Sequence, residues 1–193
     1  MTSLQGLIFV ILFLQASSNI SACYAFLGIA LRSCIRMGLH RHLRHAKLTP
    51  IEDQTRRRVF HVVRQIDIYV SAVLGFPVLL HADDIDQPLP TEVDDKYITK
   101  DAILTPDPDE RPSFFEAFNA HHRLMCILAR LIRTVYPVKG VEDCALKGDT
   151  ENATYTISYV RIKEIERQLQ EWFDQLPRYW RPGPDDDDIE VIR

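Results

Sequence analysis

His81-Ala-Asp-Asp-Ile-Asp puts three carboxylates, Asp83, Asp84 and Asp86, within four positions of one another beside an imidazole, with Glu92, Asp94 and Asp95 close behind. Side chains of these types can hold a hard cation or exchange protons. A hard cation needs six or more oxygens converging at about 2.0–2.6 Å, and the calcium-loop form adds a spaced acidic series, a mid-loop glycine and a closing glutamate. The stretch has no such pattern, and prolines at 77, 88 and 90 interrupt it. The simpler reading of the residues is a solvated loop between helices. A metal-dependent hydrolase is the alternative, and it would draw on His81, Asp83, Asp84 and either His121 or His122.

The remaining candidates fare no better as chemistry. His40, His42 and His45 are interrupted by Arg41 and Arg44, whose positive charge opposes a zinc site. A basic loop facing solvent or a partner is the simpler reading. His121 and His122 are adjacent, and neighbours on a helix point about 100° apart. Cys23, Cys34, Cys126 and Cys144 are scattered with no C-x-x-C pair, which suits reduced thiols, Cys23 and Cys34 as core residues of one helix. Nucleophile elbow, phosphate loop and H-E-x-x-H motifs are missing. Asp67 differs, because it falls among Ile66 and Ile68 in an apolar stretch. A buried carboxylate must be paired or hydrogen-bonded, and Arg32 is its expected partner.

The elements that must position these groups are helices. Residues 4–16 and 20–37 form two, joined at Ser17-Ser18-Asn19, where Ser18 or Asn19 can cap the second. Gly38 suits the left-handed position that ends it, and Leu39 can fold back on the last turn. Gly28, inside that helix, suggests a close approach between helices. Thr49-Pro50-Ile51-Glu52 is a capping box with proline at the first helical position, and Phe60, Val63, Ile66, Val70, Val73 and Leu74 then recur at helical spacing up to Gly75 and Pro77. A second linker, TPDPDERP over 105–112, leads to Ser113 and Glu116, another box, opening a helix to about Tyr136. Residues 151–175 form the last long helix. The fold class is all-α, an irregular array of antiparallel helical hairpins with an acidic, proline-rich loop.

Composition narrows the class further. A hydrophobic share of 46% is enough for a core. Residues 7–14, LIFVILFL, are too short for a membrane span, which needs about 20 apolar residues, and no basic residue precedes them as in a signal peptide. They are expected to belong to a buried helical pair. The formal charge of −4 hides an asymmetry. Residues 1–66 carry nine Lys/Arg against two Asp/Glu, and residues 67–116 carry three against twelve. Such polarity predicts packing between the two halves or a charged partner surface. Arg56, Arg57 and Arg58 could touch phosphates, but the acidic balance and the lack of a recognition helix argue against DNA binding by this chain.

Several blocks together resemble a known family. GIALRSCIRMGLHRHL (28–43), TPIEDQTRRRVFHVVRQIDIYVSAVLGFP (49–77) and HADDIDQPLPTEVDD (81–95) are similar to the fungal-specific transcription factor domain. That domain is the regulatory middle region of binuclear zinc-cluster transcription factors of the xylanolytic-activator type. FNAHHRLMCILARLIRTVYPVKG and EIERQLQEWFDQL carry the likeness on, less sharply. His61 stands where the family usually has Trp, Ile68 where Arg is common, and His42 where Asp often follows.

The resemblance implies a non-enzymatic domain with no cofactor of its own, zinc belonging to a cysteine cluster outside this chain. It implies a nuclear protein that contacts DNA only through that other domain. Its expected partners are co-regulators, other domains of the same protein, or a small-molecule effector, and no membrane. It also gives Arg57 and Arg58 as partners for the loop around Asp83, Asp84 and Asp86. Residues 1–183 are expected to be a regulatory domain incomplete at both ends, with exposed apolar surface, and 184–193 an acidic tail leading into a further helix. A truncated competitor of full-length relatives is the alternative within the family.

Overall fold

Asn19 opens the second helix through its side chain, whose Oδ1 accepts the Ala22 N–H at 3.3 Å. It thereby satisfies one of the donors that every helix start leaves without a partner. The computed structural model describes residues 1–42, 47–107, 111–135 and 159–181. The expected tail over 184–193, His45, Cys144 and the expected start of the last helix at 151 lie outside them.

Helix α1 covers Thr2–Ala16 and α2 covers Ile20–Arg36. Gly38 follows α2 with φ of 63°. Its N–H reaches the Ile35 carbonyl at 2.9 Å, and the Leu39 N–H reaches that of Cys34 at 2.9 Å. This pair of bonds ends the helix and turns Leu39 into the core, where it is fully buried.

Helix α3 covers Pro50–Leu74 and carries both halves of the capping box at Thr49 and Glu52. It stops at Gly75, whose φ of 69° suits glycine because other side chains clash there. Helix α4 covers Phe114–Val135 and α5 covers Tyr159–Gln175. Ser113 starts α4 by accepting the Phe115 N–H at 3.3 Å, while its hydroxyl donates to Asp94 at 2.6 Å. Short 3-10 turns lie at Ala82–Asp84, Asp95–Tyr97 and Arg178–Trp180.

The five described helices pack in sequence, each on the next of them. Among the described residues the chain is all-α, with an isolated bridge between Ile98 and Ile103 as its one β-type contact. The core lies between α1, α2 and α3, and Ile11, Leu27, Leu39, Phe60, Val63 and Val70 are its largest fully buried side chains. Full burial of each large aliphatic or aromatic side chain contributes about 1.5–3 kcal/mol.

Two expectations need correcting. Among the described residues, a methyl added at Gly28 would meet only the Arg32 guanidinium of the same helix, at 3.4 Å, with no backbone of another helix within 4 Å. Helix α1 buries Leu4, Ile8 and Ile11 against α2 but leaves Phe9 72% and Phe13 70% exposed. Only one face of the apolar N-terminal helix is covered. None of the described helices is long and apolar enough to cross a membrane.

Candidate functional site

Gln54, His61, Arg64, Gln65, Asp67 and Ser71 of α3 are all buried. Most follow one another at steps of three or four residues, which puts them on one side of the helix. All but Gln65 meet the chain from Pro77 to Asp95. It runs along α3 in the opposite direction as an extended strap.

Six positions hold it. The Pro77 carbonyl accepts from the Ser71 hydroxyl at 3.4 Å, and Asp67 Oδ2 accepts the Leu79 N–H at 3.2 Å. Arg64 Nη1 donates to the Leu80 carbonyl at 2.6 Å, and His61 Nε2 donates to that of Pro88 at 3.0 Å. Arg57 donates to the Leu89 carbonyl at 3.2 Å. Gln54 Oε1 accepts the Thr91 N–H at 2.9 Å, and its Nε2 donates to the Thr91 hydroxyl at 2.9 Å.

The physical cause is that an extended segment cannot satisfy its own main chain, and three prolines remove donors from this one. α3 answers with side chains of matching polarity at helical intervals. Helix α4 closes over the far end, where Asn119 Nδ2 donates to the Pro90 carbonyl at 2.9 Å and to Glu92 at 3.0 Å.

Charge supports the same arrangement. Asp86 Oδ1 accepts the His42 N–H at 2.8 Å and pairs with Arg41 at 3.2 Å. The His40 carbonyl in turn accepts the N–H groups of Asp86 and Gln87, both at 3.2 Å. These bonds, the His42 N–H first, hold the Asp86 carboxyl below its ordinary range. Arg58 pairs with Asp95 and lies 3.7 Å from the centre of the Phe115 ring. Basic residues of the first third therefore meet acidic residues of the strap, in line with the asymmetry read from the sequence.

The centre of the interface is a largely buried polar cluster. The rings of His61 and His122 meet edge to face with centroids 4.6 Å apart, and His122 Nε2 lies 3.5 Å from Cys126 Sγ. His121 Nδ1 meets Gln65 Oε1 at 2.7 Å. Because His61 Nε2 faces a carbonyl, that nitrogen carries the proton of the neutral ring. The Nδ1 atoms of His61 and His122 are buried with no hydrogen-bond partner among the described residues. Protonating either ring would bury a donor without an acceptor near Arg64.

Burial accordingly pushes His61 down to about 4, with Arg64 and Arg57 adding smaller repulsion. It pushes His122 down to about 3, with His61 and Arg64 next in size. Asp67 moves the other way, raised to about 6 by burial against the opposing bonds from Leu79, Leu80 and Ser71 and the attraction of Arg64.

The signs set a pH prediction. In the unfolded chain both histidines titrate near 6.5, so the stability they give is full above that pH and falls as acid drives toward 4 and 3. Asp67 has a raised folded pKa, so its contribution is full below about 3.8 and is lost as pH rises through about 6. Between pH 6 and 4 the unfolded state thus binds about one proton more in net, two from histidine less one from aspartate. Lowering pH from 6 to 5 should cost about 1.4 kcal/mol. Urea unfolding at pH 5, 6 and 7 checks this, and a flat or rising profile would mean the rings are solvated.

The residues singled out by sequence fall unevenly on this site. Asp67 is fully buried, but its expected partner Arg32 is wrong. Arg32 is exposed on α2, and the cation acting on Asp67 is Arg64, three positions along its own helix. Arg57 and Arg58 do not pair with Asp83, Asp84 or Asp86 among the described residues: Arg57 pairs with Asp53 at 2.8 Å and meets the strap through the Leu89 carbonyl, and Arg58 pairs with Asp95. Asp83 and Asp84 are exposed in the turn at its start. His81, Asp83, Asp84, His121 and His122 are not gathered as a metal site, and no group of three His, Cys, Asp or Glu among the described residues could hold a metal ion. Gln54, Arg64, Gln65, Ser71 and Asn119 were missed. For those on α3 a signal was available as polar residues recurring beside its apolar stripe, whereas Asn119 lies on α4.

This architecture is that of a domain family. The model of the fungal specific transcription factor domain matches residues 1–174, and the chain belongs to that family, whose members regulate transcription and are not enzymes. The chain is 37% identical to activator of stress genes protein 1 of Candida albicans over 93% of its length and 19% of that protein's. It is 34% identical to activator of stress genes 1 of Saccharomyces cerevisiae over all of its length and 19% of that protein's. With the transcriptional activator protein acu-15 of Neurospora crassa the identity is 26%, over 93% of this chain and 18% of the relative. The chain thus spans about a fifth of the curated relatives it matches. No solved structure matches it.

Proposed function

We propose that residues 1–183 act as a regulatory unit inside a nuclear transcription factor, an array of antiparallel helical hairpins locked by the strap over 77–95. DNA contact belongs to a zinc-cluster domain outside this chain. The partners are other domains of the same protein, co-regulators, or a small effector.

The observation that supports this reading is the way the strap is held. Most of its bonds to α3 are directed from polar side chains at main-chain atoms, so they are made or broken as a set, together with the seating of Leu80 and Ile85 on the apolar core. An element of that kind has two defined arrangements, and a ligand that prefers one of them shifts the balance by its difference in affinity. The resulting signal is a change in which helix faces are presented.

The test is a chimera in which this chain replaces the corresponding domain of a related activator. Reporter output and promoter occupancy are measured together with Gln54→Ala and Asn119→Ala, which loosen the strap at Thr91 and Pro90. Output should change at least severalfold while occupancy stays constant. If output simply followed occupancy, or deletion of the whole domain left output unchanged, the regulatory reading would fail.

A further inference from the structure

Two Thr-Pro pairs occur in the chain, at Thr49-Pro50 and Thr105-Pro106, and the fold treats them in opposite ways. We propose that Thr105 is a phosphorylation site for a proline-directed protein kinase and that Thr49 is not.

A kinase takes the acceptor hydroxyl on an accessible, extended stretch of chain. Thr105 is exposed and outside any helix or turn, and its hydroxyl has no hydrogen-bond partner among the described residues. The main chain just before it is fixed by the Leu104 N–H on the Tyr97 carbonyl at 2.8 Å, so the residue projects from an ordered base. Pro106 presents no N–H and a fixed φ at the next position, the feature that a proline-directed kinase reads.

Thr49 is equally exposed but already committed. Its hydroxyl donates to Glu52 Oε2 at 2.9 Å and accepts the Glu52 N–H at 3.3 Å, and Pro50 is already inside α3. Offering it to a kinase would require unwinding the first turn and losing a cap, which costs about 1 kcal/mol before Glu52 repels the new charge.

In the transfer, the Thr105 Oγ1 forms a bond to the γ-phosphorus of ATP as the bond from that phosphorus to the β,γ-bridging oxygen breaks. ADP leaves with the electron pair, and the hydroxyl proton passes to a carboxylate of the kinase.

The neighbourhood gives the modification a consequence. Pro106 and Asp107 line a recess with Glu92, Asp94, Arg111 and Glu116, four carboxylates against one guanidinium. Glu116 is held above its ordinary range by burial first and by Glu92 second, so the recess already resists negative charge. A phosphate beside it adds about −1.5 to −2. Repulsion would then act on Asp94, which receives the Ser113 hydroxyl at the start of α4, and would loosen the join between the strap and that helix.

Wild-type chain, Thr49→Ala and Thr105→Ala are each incubated with a purified proline-directed kinase and Mg-ATP, then weighed intact and mapped by fragmentation. Wild type and Thr49→Ala should each gain one phosphate, located on Thr105, and Thr105→Ala should gain none. Phosphate mapped to Thr49, equal incorporation by Thr105→Ala, or no incorporation in wild type would overturn the assignment. In the phosphorylated chain, amide exchange over 92–95 and over 113–117, the two sides of the join at Asp94 and Ser113, should quicken severalfold. Unchanged exchange there would overturn the coupling to the recess.

Discussion

Arg64→Met is expected to destabilise the domain by about 3 kcal/mol at pH 7, because it removes one group that two buried acceptors depend on. Arg64 is 5% exposed. Methionine fills much of its volume, so the loss is one of polarity and not of packing. The Leu80 carbonyl, bonded at 2.6 Å, would be left without its donor, and a buried unpaired acceptor costs about 1–3 kcal/mol. Asp67 would lose the attraction that partly offsets its burial.

The second loss depends on ionisation, which separates this mechanism from a generic core defect. Asp67 takes up its proton below about 6, so the deficit should shrink between pH 7 and pH 5. The same substitution relieves the repulsion on His61 and His122, which also lessens the acid loss. Unfolding free energies of wild type and variant at the two pH values decide it. An equal deficit at both would place the effect in packing alone. Arg64→Lys should recover only part of the stability, since lysine keeps the charge but lacks the planar fork that reaches the carbonyl.

Phe60→Ala should cost about 3–5 kcal/mol, with the midpoint of urea unfolding falling and the slope unchanged. Phe60 is the largest fully buried side chain of the chain described, set in the cluster shared by α1, α2 and α3. Truncation removes its burial and leaves a cavity that three helices can close only by moving together. A domain of this size has about 5–15 kcal/mol in total, so the variant keeps a small reserve. Tyr69→Ala, on the same helix at 43% exposure, should cost far less and serves as the control. A small cost at Phe60 would mean that the helices slide to fill the gap, and the packing between α2 and α3 would then be loose.

Local signals in the sequence determined the helices, because each such signal acts within a few residues. Thr49 and Glu52 close their box across one turn, Asn19 caps its own helix, and Gly38 and Gly75 adopt the left-handed conformation that most side chains avoid. The family likewise followed from blocks of residues in order, since such blocks record the fold without its geometry.

Partner choice was decided only by the tertiary structure. The sequence set Asp67 in an apolar stretch and demanded a partner, but nothing local distinguishes Arg32 from Arg64, and only the packed helices show that one faces solvent and the other the strap. The acidic run at 83–86 read as a group of like charges, whereas the fold gives Asp86 to Arg41 and His42 and leaves Asp83 and Asp84 in solvent. The two Thr-Pro pairs share a motif, and the fold holds the Thr49 hydroxyl in its cap while Thr105 stays exposed. The Asp86–His42 contact joins residues 44 positions apart, and even where the partner is three positions away, as Arg64 is from Asp67, burial, which sets the strength of a charge or hydrogen bond, exists only once the helices and the strap meet.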